Sequence, residues 1–396
     1  MEQIKNIYRI GSGPSSSHTM GPERCARYMI EKYENADAFD VVLYGSLALT
    51  GKGHLTDYIL IKTFKNYKCD ISYNFDINIP YPNYLEITAK KNNMIIAKEK
   101  FASIGGGSII NLDKREPNQE NNPYPFKNFL QIKEYCLQNA LSLADIVYKF
   151  EGEECKLYLQ KVLLVMEKAI KRGINCQGEL PGNLHLKRKA YDLYYGDVNV
   201  DLKIKLLTSY AYATSEENAS GGIIVTAPTC GACGVLPAVL FYLKKIKNFD
   251  DQKLIDALAV ASIIGNVIKS NACVSGALAG CQSEIGAACS MSAAAATYLL
   301  GGSLDEIECA AEIAMEHHLG LTCDPVNGYV QIPCIERNAI AALRALDASS
   351  LSFLVSPSRK ISFDTVVQTM YETGLDLSKA YKETSLGGLA KNYYCK

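Results

Sequence analysis

The run Asn111-Leu112-Asp113-Lys114-Arg115-Glu116-Pro117-Asn118-Gln119-Glu120-Asn121-Asn122 divides the chain. It is polar, has no apolar period and carries a proline, so it reads as a connection between folded units. The patterns on its two sides differ in kind. Upstream, Cys69, Ile71, Tyr73, Phe75, Ile77 and Ile79 alternate with mostly polar neighbours, the period of a half-buried strand. Val41 to Leu49 reads as a second strand. Leu85 to Ala89 and Met94 to Phe101 flank the turn-like Lys90-Lys91-Asn92-Asn93 and predict a hairpin. Pro22 sits where a helix would start, with a helical pattern reaching about Tyr33.

Downstream the period changes. Leu130 to Phe150 and Lys156 to Lys171 are amphipathic at a helical period. From Ala219 to Leu300 the sequence is rich in Ala, Gly, Ser and Cys and poor in charge, as expected of helices packed inside a bundle. The stretch from Thr373 to Lys396 is polar and ends Tyr393-Tyr394-Cys395-Lys396. The expected class is α+β: a small N-terminal α+β domain (1–122), a larger all-α helical domain (123–372), and a C-terminal tail (373–396) reaching the active site between them.

Composition narrows the function. The chain has 396 residues, enough for about two domains, with 41 basic against 42 acidic side chains. That balance gives no argument for nucleic acid or for a membrane surface as partner. Apolar residues at 48% and charged residues at 21% exclude wholesale disorder. The longest uncharged apolar stretch, Ala219 to Leu243, contains Pro228 and Pro237 and reads as a buried turn flanking a helix, not a membrane span. Fourteen cysteines fall short of a disulfide scaffold. Residues 1–10 lack a long apolar region and a cleavage site, so a cytoplasmic chain with reduced thiols is expected.

Three motifs carry chemistry. Gly11-Ser12-Gly13-Pro14-Ser15-Ser16-Ser17-His18-Thr19-Met20-Gly21-Pro22 is dense in hydroxyls and precedes a helix, a place suited to a carboxylate or phosphate. A serine-rich capping loop would look similar, but His18 adds a group that exchanges protons near neutral pH. Tyr44 to His54 ends a strand in a Gly-flanked turn with Lys52 and His54, without the Walker spacing. Third, Cys281, Cys323 and Cys334 lie 42 and 11 residues apart, which fits no zinc-ribbon or zinc-finger pattern. Three thiolates from separate segments can hold three irons of a cubane cluster and leave the fourth open. Buried structural cysteines would account for the same spacing.

Other groups compete. Cys230 and Cys233 form a C-x-x-C that could be a redox pair or half a metal site. Cys273, Cys289 and Cys309 read as packing residues. His317 and His318 lie near enough to Cys323 in sequence to support it, and His185 reads as solvated.

Together the motifs resemble the iron–sulfur-dependent bacterial L-serine dehydratases (L-serine ammonia-lyases), over nearly the whole chain. The family's β domain is matched by G-P-S-S-S-H-T at 13–19, G-S-L-A-L-T-G-K-G-H at 45–54 and S-I-G-G-G at 103–107. Its α domain is matched by E-E-N-A-S-G-G at 216–222, T-A-P-T at 226–229, G-C-Q-S-E-I-G at 280–286, C-D-P-V-N-G at 323–328 and P-C-I-E-R-N at 333–338. The resemblance implies a [4Fe–4S] cluster on Cys281, Cys323 and Cys334, with Cys395 occupying the fourth iron until substrate displaces it. It implies L-serine as substrate and points to both His18 and His54. We favour His54 as the base that removes the Cα proton, with His18 holding or protonating substrate. Ser15, Ser16, Ser17, Thr19 and Lys52 are the expected substrate-binding residues. Lys396 after Cys395 and the C-x-x-C at 230–233 depart from the family pattern.

Rival readings exist. A cysteine desulfidase would replace the hydroxyl by a thiol, and a non-catalytic iron–sulfur sensor would leave the two histidines idle. A pyridoxal-phosphate dehydratase needs a Schiff-base lysine motif, which does not accompany Gly105-Gly106-Gly107, so no pyridoxal phosphate is expected. The low-charge helices suggest a homodimer.

Overall fold

The computed structural model describes residues 1–114, 122–197 and 199–393. A five-stranded sheet and a bundle of helices form two packed bodies, so the chain is α+β. The sheet holds β2 (Ala38–Tyr44), β3 (Lys68–Asn74), β4 (Tyr84–Lys91), β5 (Met94–Gly105) and β6 (Ser108–Asn111), following a short β1 (Ile10–Ser12) elsewhere. Its spatial order is β3-β2-β4-β5-β6. β2 and β3 run parallel and the other pairs antiparallel. The β2–β3 crossover includes the helix Thr56–Thr63.

Alternation along β2 buries Phe39, Val41 and Leu43. They pack with Leu85, Ile87 and Phe101 of the sheet and with Cys25 and Met29 of the helix Gly21–Lys32. The predicted hairpin forms, and Asn92 and Asn93 both take positive φ (50° and 63°), as its two-residue turn demands.

Two strand expectations are corrected. The strand starting near Val41 stops at Tyr44. Gly45 turns the chain at φ 54°, and Ser46–Thr50 is a helical turn. The strand at Cys69 to Ile79 stops at Asn74, because its neighbour β2 ends at Tyr44, the partner of Asn74. Beyond that point alternation has no ladder to join, and Phe75 is exposed.

The helical body is built around Ile285–Leu299, in which every residue but Tyr298 is buried. Its small residues, Ala293 to Ala296 among them, let four helices close on it: Val235–Lys247, Asp251–Asn271, Leu304–Glu316 and Cys334–Val355. This is the interior role expected of the Ala219–Leu300 region. Leu130 to Phe150 is two helices, Phe129–Asn139 and Leu143–Glu151. Ala140 takes φ 51°, and Ser142 with Asp145 forms a capping box that restarts the helix. Two helices, Asp251–Asn271 and Cys334–Ser358, are long and apolar enough to cross a bilayer by length and composition; 78% and 44% of their most apolar windows are buried inside the fold.

The two bodies share chain segments. Ile4, Ile7 and Tyr8 lie in the core of the helical body, and the Tyr8 hydroxyl donates to the Leu258 carbonyl at 2.8 Å. β1 pairs antiparallel with β7 (Ile223–Val225), so the helical body carries one small strand pair. Part of the connection at 111–122 lies outside the described residues. The helix Phe363–Asp376 takes in Thr373 at the start of the tail segment.

Candidate active site

The hydroxyl-rich loop is held by the motif at 216–222. Gly13 donates its N–H to the Gly222 carbonyl at 3.1 Å, and Asn218 Nδ2 donates to the Pro14 carbonyl at 2.8 Å. A Cβ on Gly13 would stand 2.2 Å from Asn218 Oδ1 and 2.4 Å from its carbonyl oxygen, so this approach requires glycine. The Ser15 hydroxyl then accepts the His18 N–H at 3.1 Å and caps a π-helical turn, Ser16–Met20, that leads into Gly21–Lys32.

Reciprocal bonds lash this loop to the second motif. Thr19 Oγ1 donates to the His54 carbonyl at 2.8 Å and Thr56 Oγ1 to the His18 carbonyl at 2.7 Å. The two imidazoles stack with centroids 4.4 Å apart. Both are buried, His18 completely.

The hydroxyl pattern fixes the proton on His18. Ser46 Oγ donates to the Glu383 carbonyl and Thr50 Oγ1 to the Ser46 carbonyl, so both hydroxyl hydrogens are spent. His18 Nε2, 3.0 Å from Ser46 Oγ and 3.1 Å from Thr50 Oγ1, must therefore donate. Its Nδ1 accepts from Ser17 Oγ at 2.9 Å. Burial pushes the His18 pKa down to about 4, partly offset by Glu383, so the ring is neutral at pH 7. His54 is arranged the other way round. Its Nδ1–H donates to the Thr50 carbonyl at 2.9 Å, which turns Nε2 toward the cavity.

Nε2 of His54 faces Glu383, whose Oε1 lies 3.3 Å away and 3.6 Å from His18 Nδ1. Burial works against the Glu383 charge, yet the two imidazoles and the Ala277 N–H hold its carboxyl below the usual range. The residue is tied on both sides: its N–H donates to the Cys323 carbonyl at 2.8 Å, and Tyr381 accepts the Cys323 N–H at 2.8 Å. Nothing in the sequence pattern singled out Glu383, because a polar tail shows no period and its burial comes from distant segments.

The three cysteines converge on one small cavity between the bodies. Pro14, Ser15, His54, Glu284, Cys281, Cys323, Cys334 and Glu383 are among its walls. Ligand atoms of Cys281, Glu284 and Cys323 lie within 4.8 Å of one another. The Cys323 thiol and Arg337 hold Cys281 below the ordinary thiol range, while hydrogen bonding to Cys281 and burial push Cys323 up. Burial also pushes Cys334 up. Burial, Glu383 and Cys281 push the Glu284 carboxyl up.

Arg337 donates to the Thr322 carbonyl at 2.7 Å and to Asp324 at 3.2 Å, and the nearby thiols favour its charge. Three thiols from three segments, two in contact and a half-buried guanidinium beside them, fit an iron–sulfur cluster. The Asn338 amide steadies the set, bonding the Cys334 carbonyl at 2.8 Å and the Gly231 carbonyl at 2.7 Å.

Not every expected residue reaches the cavity. Ser16, Ser17 and Thr19 are buried in the loop behind Ser15, where Ser17 and Thr19 position the histidines. Lys52 is exposed with its ammonium over the Tyr73 ring at 5.5 Å, because the turn after Thr50 points it to solvent. Cys395 lies outside the described residues. Cys230 and Cys233 are buried with Met20 and Ile224 in a packing cluster. His318 is buried against Ala314 and His317 is exposed; neither is on the cavity wall. The Gly105–Gly107 turn joins the bodies, its Gly106 and Gly107 carbonyls accepting from Arg9 and Arg24.

Comparison with known proteins yields consistent similarity over the full chain. A family model described as serine dehydratase alpha chain matches residues 83–390, and one described as serine dehydratase beta chain matches residues 3–71. The chain is 38% identical to an L-serine dehydratase of Haemophilus influenzae, with all of both chains covered. It is 39% identical to L-serine dehydratase 2 of Escherichia coli over 98% of each chain. An L-serine dehydratase of Helicobacter pylori is 37% identical over 99% of each chain.

Proposed function

The chain belongs to the serine dehydratase family, and from that premise we propose that it converts L-serine to pyruvate and ammonia by β-elimination of water. The observation that carries this is the single cavity on which Ser15, His54 and the thiols of Cys281, Cys323 and Cys334 converge. Cys281, Cys323 and Cys334 are the residues that would hold a [4Fe–4S] cluster, which when bound supplies a Lewis acid toward the substrate hydroxyl.

The chain's own residues do the rest. The Ser15 loop, with a hydroxyl and N–H groups, receives the substrate carboxylate. His54 takes the Cα proton at Nε2, because its Nδ1–H is committed to the Thr50 carbonyl. A proton arriving there completes an ion pair with Glu383 Oε1. His18, neutral with Nε2–H committed to Ser46 and Thr50, packs against His54 and orients it. The enamine product, aminoacrylate, tautomerises and is hydrolysed to pyruvate and ammonia.

We propose that Cys395 would be a further ligand to the cluster at rest; the anchoring of the tail beside Cys323 supports this reading. We read the chain as the units 1–122 and 123–372 with the tail 373–396, meeting at the cavity. A cytoplasmic setting is supported by thirteen described cysteines, all free. A homodimer is supported by exposed apolar side chains on Cys334–Val355: Ile340, Leu351 and Leu354.

The test is release of pyruvate from L-serine by anaerobically purified protein, with L-threonine and L-cysteine in parallel. Serine is expected to be the best substrate. Sulfide release from cysteine with no serine turnover would move the assignment to desulfidation.

A further inference from the structure

Three groups of L-serine need a partner: carboxylate, hydroxyl and ammonium. On the proposed reading the Ser15 loop meets the first and the cysteine wall the second. The third has no partner among the residues discussed so far, and a buried ammonium without an acceptor is costly.

Two carboxyl groups line the cavity. Glu284 stands on the cysteine side, with a carboxyl oxygen within 4.8 Å of the Cys281 and Cys323 sulfurs. Glu383 stands on the histidine side, with Oε1 3.3 Å from His54 Nε2. Its Oε1 faces the two imidazoles, but Oε2 is buried and makes no hydrogen bond. The Ala277 N–H favours the charged carboxylate, while Oε2 has no donor within hydrogen-bond geometry. A buried carboxylate oxygen normally has a donor. Lys382 next to it donates to the Leu375 carbonyl and Arg337 donates to Thr322 and Asp324, so neither is a hydrogen-bond partner of Oε2.

The backbone is built to aim this side chain. Glu383 takes φ 58°, a left-handed conformation that residues with a side chain rarely adopt. Bonds to both walls hold it there: its N–H donates to Cys323 and its carbonyl accepts from Ser46 Oγ at 2.7 Å.

We propose that Oε2 of Glu383 is the binding site for the α-ammonium of the substrate, and so a specificity residue that selects an amino acid over the corresponding hydroxy acid. Together with Ser15 and the cysteine wall it makes a three-point attachment, which fixes the face of Cα that His54 sees. This inference rests on the L-serine reading above.

The test compares the iron-loaded wild type with Glu383→Gln and Glu383→Asp under anaerobic conditions. Two ligands are used: L-serine as substrate, and 3-hydroxypropanoate, which keeps the carboxylate and hydroxyl but lacks the ammonium, as competitive inhibitor. Loss of one charged hydrogen bond is worth about ten- to a hundredfold in binding. In Glu383→Gln the KM for L-serine should rise by about that factor, while the inhibition constant of 3-hydroxypropanoate moves less than about threefold. Glu383→Asp keeps the charge and should recover part of the loss. If Glu383→Gln fails to fold, the wild type and Glu383→Asp decide. The preference for L-serine over 3-hydroxypropanoate should be at least about tenfold in the wild type and smaller in the aspartate variant. Equal weakening of both ligands, or an unchanged preference, overturns the proposal. A wild type that binds iron but does not turn over L-serine refutes the functional reading instead, a result separate from these.

Discussion

At the residue scale the site depends on which nitrogen of each histidine is free. His18 and His54 were both legible in the sequence, but their order was not, since both lie in loops beside Gly and hydroxyl residues. The hydroxyl network supports His54 as the proposed base. His54 offers Nε2 to the cavity, and His18 has neither nitrogen free. His54→Ala is therefore expected to lower kcat by about 10²–10⁴ and to abolish exchange of the substrate Cα hydrogen with solvent deuterium. Persistent exchange in that variant would assign the base elsewhere.

A second residue-scale prediction concerns pH. His318 is buried with Nδ1–H on the Ala314 carbonyl, and burial pushes its pKa down to about 4. The folded state stays neutral while the unfolded chain takes up a proton near pH 6.5. Its contribution is thus complete above pH 6.5 and is lost as the pH falls from there to about 4. The total is about 3 kcal/mol. Urea midpoints between pH 7.5 and 4.5 should fall less steeply in His318→Gln than in the wild type.

At the element scale, periodicity read the helices and the hairpin well, because each has one buried face. It overran at Leu49, where Gly45 turns the chain, and at Ile79, where the local pattern continued but the neighbouring strand ended. It also merged two helices across Ala140, whose positive φ leaves no trace in apolar spacing. Ala140→Gly removes that left-handed penalty in an exposed position and should stabilise the protein by about 1 kcal/mol, read as a shift of the urea midpoint. The glycine in the first motif works the opposite way. Gly13→Ala forces the loop off Asn218, so kcat/KM for L-serine should fall at least about tenfold, by displacement of Ser15 and His18 from working geometry. Unchanged kinetics in Gly13→Ala would show that the loop does not set the site.

At the scale of the whole molecule, the site belongs to neither body alone. The histidines come from the sheet-bearing part, the thiols from the helical part, and Glu383 from the tail that touches both. The motifs that carry the family were visible in the sequence as separate pieces. Their meeting was not, because it depends on long-range packing such as Gly13 on Asn218 and Glu383 on Cys323. The exposed apolar face of Cys334–Val355 is the surface we expect to be covered in a dimer. Leu354→Glu should shift the sedimentation of the protein from dimer to monomer.

The central claim is that Cys281, Cys323 and Cys334 form one iron site that turnover of L-serine requires. Iron, sulfide and pyruvate release measured on the same anaerobic samples of wild type and of Cys281→Ala, Cys323→Ala and Cys334→Ala test it directly. The account predicts about four irons per chain with turnover in the wild type, and joint loss of iron and turnover in each variant. Full turnover of L-serine in all three variants, or in iron-free wild type, would contradict it.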